Sequence, residues 1–289
     1  MNELILERSA ALSAETLRHV ERTRRGRIRV YTRSQSGTAV RWTLLTLLAL
    51  AVLGFCTFDV KGINLSKALA DTLQNVKTVF LQPRIARNTF WGALSQLLVT
   101  FSLGGLATIF GALIAFFGAL LCARNIANAR VALVVKSLVA LIRAVPTILW
   151  VLIFAVSAGL GSVAAVAGLT FHSAAYLIKA YAESIEEMDP GTIEALRASG
   201  ASYWQIVFQA IVPSSLSYMM AWTFLRFEIN FTNAIAMGAA AGAGGIGYDL
   251  FMAGSFYFDL RELGYITYVV VIAVIALEAL ATKVKAKVK

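Results

Sequence analysis

The chain has 289 residues, of which 58% are hydrophobic and only 15% are charged, and its mean hydropathy is +0.72. A water-soluble domain cannot bury that much apolar surface, so the composition excludes a soluble globular protein and predicts an integral membrane protein. The formal net charge of +10 would suit nucleic-acid binding, but the basic residues cluster beside apolar runs, as the cytoplasmic flanks of membrane spans do. We therefore expect a phospholipid membrane as partner, and no nucleic acid.

The N-terminal part of the chain predicts a basic tail followed by one membrane helix. Residues 1–38 are rich in arginine and are expected to lie in the cytoplasm, against anionic lipid. Residues 39–58 form the first clean apolar run, about 20 residues long, which is the length that crosses a hydrocarbon core. Residues 59–88 then combine leucines at helical spacing with lysines, which predicts an amphipathic helix on the extracytoplasmic membrane surface.

Residues 89–282 predict five further spans, which form the core of the protein. We place these spans at 90–121, 136–158, 162–181, 214–237 and 264–282. Six spans in total put the two basic ends, 1–38 and 283–289, on the same side of the membrane, and their positive charge assigns that side to the cytoplasm. The sequence therefore predicts an all-α, multi-pass protein with both termini inside.

One polar segment interrupts the apolar pattern between the fourth and fifth spans, and it predicts a short helix at 189–201. Asp189 is placed to cap this helix, since its carboxylate can accept from a free amide of the first turn. Gly200 is placed to end it in the left-handed conformation. We expect the short helix to lie outside the membrane.

The chain after this helix is predicted to turn back towards the bilayer. Ser202 and Gln205 have the spacing of a capping box, which starts a new helix. The run from 203 to 237 is too long for one upright span. Pro213 is expected to break it into a surface elbow and a true span, because proline removes a helical hydrogen bond.

Polar residues within the predicted spans are the candidates for a substrate path or gate, because each is unfavourable in a membrane unless it faces protein or water. They are Arg143, His172, Arg226, Glu228 and Asn230. An arginine suits a phosphonate-like oxyanion as its partner. The alternative is a structural contact between helices, for instance an ion pair between Arg143 and Glu228.

A glycine-rich run at 242–247 matches the spacing G-x-G-x-x-G of a dinucleotide-binding fingerprint. That fingerprint requires a preceding strand, whereas the preceding segment here is a predicted membrane helix. We therefore assign Gly242, Gly244, Gly245 and Gly247 to a flexible or tightly turned loop at the outer mouth, since glycine permits positive φ. The sequence has no P-loop, catalytic triad or metal-ligand spacing, so an ATP-driven step would need another chain.

The polar segment resembles the EAA signature of ABC importer permeases. The family pattern is E-A-A, three residues, G, nine residues, and then I-x-L-P. This chain has EAL at 194–196, G at 200 and AIVP at 210–213. Glu194, Gly200 and Pro213 stand at the family positions, whereas Leu196, Ala210 and Val212 are apolar exchanges.

This resemblance implies the type I permease fold, with six transmembrane helices and a short cytoplasmic coupling helix that docks on an ATPase. The residues that would carry coupling are Asp189, Glu194, Ala195, Arg197, Gly200 and Pro213. The implied partners are two cytoplasmic ABC ATPase subunits, a second permease subunit as a homodimer, and an extracytoplasmic phosphonate-binding protein. ATP and Mg would be held by the ATPase, so no cofactor is expected in this chain.

Further motifs from residue 90 onwards resemble phosphonate-type permeases. They are RA at 143–144, GLG at 159–161, FHS at 171–173, ESIE at 183–186, DPG at 189–191, RFE-x-N at 226–230 and the glycine run at 242–247. They imply a transport subunit, not an enzyme, for phosphonate, phosphite or hypophosphite in a bacterial cytoplasmic (inner) membrane. Two alternatives stay open: a permease of the same fold for an amino acid such as methionine, and an ion-coupled transporter or membrane enzyme without an ATPase.

Overall fold

The computed structural model of the protein describes residues 35–288 except 59–61 and 63. The basic tail predicted at 1–38 therefore lies almost entirely outside the described residues. Every regular element in the described part of the chain is helical, which confirms the all-α prediction. The helices are α1 (Gln35–Thr57), α2 (Leu65–Leu81), α3 (Phe90–Cys122), α4 (Ala129–Ala144), α5 (Thr147–Ala158), α6 (Ser162–Glu186), α7 (Pro190–Ala198), α8 (Tyr203–Ile206), α9 (Val212–Ala241), α10 (Ile246–Phe251) and α11 (Leu260–Val288).

Helix length and composition allow four to six membrane spans. Helices α1, α3, α6 and α11 are each long and apolar enough to cross a membrane. Two further spans arise if each of two bent helix pairs counts as one: α4 with α5, bent by 92°, and the helix Tyr203–Ala241 with Ile246–Phe256, bent by 53°.

Helix α1 belongs to a separate N-terminal unit and is described by itself. Its threonine hydroxyls donate hydrogen bonds to backbone carbonyls one turn earlier. Thr43 donates to Ala39 at 3.0 Å, and Thr46 donates to Trp42 at 2.9 Å. A membrane helix satisfies hydroxyl groups in this way because the hydrocarbon core supplies no water.

The third predicted span, 136–158, is not one continuous helix. Pro146 cannot donate a backbone hydrogen bond, and it forces the preceding Val145 into an extended conformation with φ −86° and ψ 127°. Helix α4 therefore ends at Ala144, and α5 starts at Thr147 in a direction 92° away.

The predicted break at Pro213 is wrong. The chain stays helical from Tyr203 to Ala241, and a π-helical turn at Val207–Ile211 precedes the proline. In that turn the Val212 N–H bonds to the Val207 carbonyl five residues back. This wider turn accommodates the proline ring, which would clash with the backbone of a regular α-helix.

Helices α3 and α6 form the largest interface of the bundle, and small residues let the helices approach closely. A Cβ added at Gly111 of α3 would lie 2.9 Å from the Ser173 Cβ of α6. A Cβ added at Gly168 of α6 would lie 2.6 Å from the Val151 backbone of α5. Helix α5 of the bent α4–α5 pair thus packs against α6 at backbone distance.

The end of the bundle where α3 begins is held by a buried carboxylate. Glu262, near the start of α11, is 3% exposed and accepts from the backbone amides of Arg87 and Asn88 at 2.8 and 2.9 Å. The Arg87 guanidinium also pairs with it at 3.0 Å. Asp259 caps α11 by accepting from the amides of Arg261 and Glu262. These bonds tie the segment before α3 to α11.

We expect Gly168→Ala to lower the free energy of unfolding by about 1–3 kcal/mol, because the added methyl group has no space beside the α5 backbone. The matched control is Gly105→Ala on α3, whose Cβ would meet only the Phe227 ring at an ordinary 3.8 Å. Thermal unfolding of the purified protein in detergent measures both. Equal melting temperatures for the two variants would contradict the close packing.

The Asp259 cap predicts a pH dependence of stability. The backbone N–H of Glu262, and then that of Arg261 and the guanidiniums of Arg84 and Arg87, hold the pKa of the Asp259 carboxyl below its usual range. A lowered pKa in the folded state means that this stabilisation is present above about pH 4 and is lost as the pH falls through the folded pKa. Asp259→Asn should therefore make the melting temperature depend less steeply on pH between pH 5 and about pH 3. An unchanged slope of melting temperature against pH would contradict the prediction.

Candidate functional site

Polar side chains from five helices meet in the bundle; most are buried, whereas Arg143 and Thr147 are half-buried and Tyr176 is exposed. This buried polar cluster includes four of the five polar span residues predicted from the sequence. Its members are Thr108 on α3, Arg143 on α4, Thr147 on α5, His172, Ser173 and Tyr176 on α6, and Arg226 and Asn230 on α9. The break between α4 and α5 lies at the cluster, because Arg143 and Thr147 flank it.

Arg226 is the central group of the cluster and is 4% exposed. Its Nε donates to Ser173 Oγ at 3.0 Å, and its Nη2 donates to His172 Nδ1, also at 3.0 Å. Its Cζ lies 4.8 Å from the centre of the Tyr176 ring. The guanidinium is therefore held by neutral partners and by the face of an aromatic ring.

Asn230, one helical turn after Arg226, completes this network and is fully buried. Its amide nitrogen donates to Thr108 Oγ1 at 2.9 Å and to Ser173 Oγ at 2.8 Å, while the Ser173 hydroxyl donates to its amide oxygen at 3.0 Å. Helices α3, α6 and α9 are thereby linked around one fixed position of Arg226. Thr108 and Ser173 were not predicted as individual members, because hydroxyl residues are frequent in membrane spans.

His172 must carry its ring proton on Nε2. Its Nδ1 receives an N–H from Arg226, and a guanidinium has donors only, so Nδ1 is the acceptor. The Thr147 hydroxyl also lies 2.8 Å from Nδ1. In this arrangement the imidazole is neutral and adds no positive charge to the site.

Arg143 brings a second guanidinium to the same ring. Its Cζ lies 4.4 Å from the Tyr176 ring centre, so the tyrosine contacts both arginines. Its Nε is buried and has no hydrogen-bond partner. Within the described residues no carboxylate approaches either guanidinium to within 4 Å.

Glu228 is not part of the cluster. It lies two residues from both Arg226 and Asn230 on α9, which puts it on another face of the helix. The structural alternative of an ion pair between Arg143 and Glu228 is therefore not formed.

The cluster can bind an anion. Two arginines that meet no carboxylate in the described part of the chain give it net positive charge, in a bundle whose surroundings are apolar. A guanidinium presents planar pairs of N–H donors that match the oxygens of carboxylates and phosphorus oxyanions. The free Nε of Arg143 is a buried donor that still lacks an acceptor.

The polar segment after α6 forms the short helix and the two caps predicted for it. The Asp189 carboxylate accepts from the Gly191 amide at 3.3 Å, and Gly200 ends the segment with φ +81°. Ser202 and Gln205 form both bonds of the capping box, at 2.7 and 3.4 Å. Ile193 fixes α7 to the bundle because its side chain is 2% exposed and lies in the core.

The outward surface of α7 carries the residues predicted for coupling. Asp189, Glu194, Ala195, Arg197 and Gly200 are all exposed. Arg197 also reaches back to the loop between α3 and α4, where its Nη2 donates to the Asn125 carbonyl at 3.2 Å.

The glycine-rich run forms a tight turn that joins α9 to α10. Gly242, Gly244 and Gly245 have φ between 61° and 79°, which glycine adopts without strain. A Cβ at Gly245 would lie 2.3 Å from Thr100 Oγ1, the atom that accepts from the Ile246 amide at 2.9 Å. The run follows an α-helix, so it lacks the strand that a dinucleotide fingerprint requires. Most of residues 238–263 is helical, so the loop is confined to the break between α9 and α10.

The family model described as "Binding-protein-dependent transport system inner membrane component" matches residues 107–284, which is more than half of the chain. The chain belongs to this family. The prediction from the EAA-like segment is confirmed, and this family member is a multi-pass protein of the inner membrane. The match includes every member of the buried polar cluster and the whole of α7.

Two curated relatives of this family member transport phosphorus compounds, according to their names. The phosphate-import permease protein PhnE of Mycolicibacterium smegmatis is 30% identical over 190 residues, which cover 65% of this chain and 35% of the relative. The phosphite transport system permease protein PtxC of Stutzerimonas stutzeri is 34% identical over 146 residues, which cover 50% of this chain and 51% of the relative. The chain thus spans about half or less of these relatives.

Solved structures show the same fold. The methionine ABC transporter MetNI, in an inward facing conformation, contains a chain with TM-score 0.64 and 23% identity; the match covers 71% of this chain and all of that chain. A bacterial ABC transporter that imports the acidic polysaccharide alginate gives TM-score 0.59 at 13% identity, covering 87% of this chain and 98% of that one. At such low identity the likeness concerns the fold alone.

Proposed function

We propose that this chain is the membrane-spanning subunit of an ATP-driven importer and that it conducts a phosphorus oxyanion. The observation that carries the proposal is the pair of Arg226, which is buried, and Arg143, which is half-buried; neither guanidinium has a carboxylate partner among the described residues. An oxyanion with several acceptor oxygens would supply the acceptor that the buried Arg143 Nε lacks.

The names of the relatives support the same class of substrate. They include importers of phosphate and phosphite, and all of these anions carry negatively charged oxygens on phosphorus. The methionine import permease MetP of Bacillus subtilis is more distant, at 26% identity over 133 residues. A zwitterionic amino acid would also leave the second guanidinium uncompensated, so the cluster favours the phosphorus anion.

The chain needs partners for this function, and its exposed short helix suits one of them. Asp189, Glu194, Ala195, Arg197 and Gly200 offer a polar surface beyond the last turn of α6, where a cytoplasmic ATPase would dock. Two such ATPases, a second permease copy and an extracytoplasmic phosphonate-binding protein complete the assembly. Both termini of this chain then lie in the cytoplasm.

Transport requires that the cluster face the two sides of the membrane in turn. Arg143 and Thr147 flank the helix break at Pro146, so a change in the α4–α5 bend would move one guanidinium relative to the other. Discontinuous membrane helices serve transporters in this way, since the freed backbone lies in a polar cavity. ATP binding would act through α7 on these helices, and a modest free-energy difference between two packed arrangements suffices for switching.

We expect Arg226→Gln and Arg143→Gln each to reduce uptake of the anion at least about tenfold, the cost of one lost charge-assisted hydrogen bond in a buried site. Glu278→Gln removes a charge from an exposed position on α11, outside the cluster, and should leave uptake unchanged. Uptake of radiolabelled phosphate, phosphite and methylphosphonate by cells with the complete transporter measures this, with methionine as competitor. Normal uptake in both arginine variants, or competition by methionine alone, would contradict the proposed substrate.

We expect Glu194→Lys and Gly200→Pro to abolish ATP-driven uptake while the protein remains in the membrane. The first reverses a charge on the exposed face of α7, and the second fixes φ near −65° where the chain needs +81°. Thr192→Ser, on the same helix, is the conservative control. Membrane amount by immunoblot, uptake and ATPase rate are measured together, and normal uptake in both variants would rule out coupling through α7.

A further inference from the structure

A charged cavity lies next to the buried polar cluster, between α4 and α6. It has a volume of about 330 Å³, and its charged lining consists of Lys136, Arg143, Lys179, Glu183 and Glu186. Arg143 belongs both to this cavity and to the cluster. The other four side chains lie towards the C-terminal end of α6, which leads into α7. The cavity therefore continues the cluster in the direction of the short helix.

The two lysines of this cavity are neutralised by carboxylates, whereas the arginine is not. Lys136 Nζ lies 2.7 Å from Glu186 Oε1, and Lys179 Nζ lies 3.4 Å from Glu183 Oε1. Arg143 has no such partner in the described part of the chain, and its Nε is unsatisfied. An anion that leaves Arg143 through this cavity next meets the Lys136–Glu186 pair, since Lys136 is on the same helix two turns back.

Glu186 is also fixed to the loop that the short helix contacts. Its Oε1 accepts from the Arg124 backbone amide at 2.8 Å, in the loop between α3 and α4. The adjacent Asn125 donates its side-chain amide to the Ile185 carbonyl at 2.7 Å and accepts from Arg197 of α7 through its backbone carbonyl at 3.2 Å. The loop between α3 and α4 thus contacts both Glu186, which pairs with Lys136, and α7, which is the helix proposed to move.

We propose that this cavity is a second anion subsite, in which the transported oxyanion replaces Glu186 as the partner of Lys136 on its way out of the cluster. The proposal rests on the proposed function, because it concerns the same anion. Glu186 stays in the cavity when it leaves Lys136; the lining has three cations and two carboxylates, so a bound monoanion brings it to neutrality. Movement of α7 acts on the loop that holds Glu186, so it decides whether Lys136 is free for the anion. Once Glu186 returns to Lys136, the anion loses its partner and is released.

Substitutions of Glu186 and of Lys136 should change the affinity for the anion in opposite directions. Glu186→Gln keeps an oxygen for the Arg124 amide and frees Lys136, so the anion should bind about three- to fivefold more tightly, the size of one partly exposed ion pair. Its release, and with it the turnover of uptake, should slow. Lys136→Gln removes the cation and should weaken binding by a similar factor. Glu187→Gln, one residue further along and outside this cavity, removes the same charge and should change neither quantity.

The experiment measures equilibrium binding of radiolabelled phosphate and phosphite to the full-length protein in nanodiscs, with the assembled transporter used for uptake. A purely structural role for Glu186 predicts a lower melting temperature with unchanged affinity, and this result would overturn the proposal. Unchanged affinity in both Glu186→Gln and Lys136→Gln, together with weaker binding in Arg226→Gln, would reject the second subsite and leave the proposed function intact. Failure of the wild-type protein to bind either anion would reject both.

Discussion

The structure depends on how the charge of Arg226 is accommodated. In the described residues it meets neutral partners only: a serine hydroxyl, an imidazole nitrogen and the face of Tyr176. Removing a charge from water without a counter-charge is unfavourable, and a fully hydrogen-bonded network reduces that cost. Asn230 and Ser173 complete that network and thereby fix the positions of α3, α6 and α9 relative to one another. The same uncompensated charge that constrains helix packing leaves the interior able to accept an anion.

Two prolines have opposite consequences in this fold. Pro146 separates α4 from α5 and leaves Arg143 next to a free helix end. Pro213 lies within a continuous helix because a π-turn absorbs the lost hydrogen bond. The first proline places a 92° bend at the cluster, whereas the second leaves one continuous helix from Tyr203 to the cluster. A sharp bend and a continuous helix thus lie on opposite sides of the same polar site.

Sequence patterns predicted those features whose physical signal is local. Helix caps follow from residue type and spacing, so Asp189, Gly200 and the Ser202–Gln205 pair were identified correctly. Arginine, histidine and asparagine are conspicuous in apolar runs, which is why four members of the cluster were found. Glu228 lies about 200° around α9 from both Arg226 and Asn230, so its place in the substrate path stays a prediction. Thr108 and Tyr176 join the cluster only through tertiary packing, which no local pattern encodes. The contrast between Pro146 and Pro213 also arises from packing.

The π-turn at Val207–Ile211 also sets the rotational phase of the long helix. One turn with an extra residue shifts every later side chain by about 100° relative to a regular α-helix, since each residue advances by that angle. The stacked rings of Trp204 and Phe208 lie at and before the turn, and the buried Arg226 lies beyond it. The turn therefore lets one helix present two faces that a uniform repeat would not align: an exposed aromatic face near α7, and a polar face towards the bundle interior. A proline that resembles a helix defect thus marks a change in register between two surfaces with different partners.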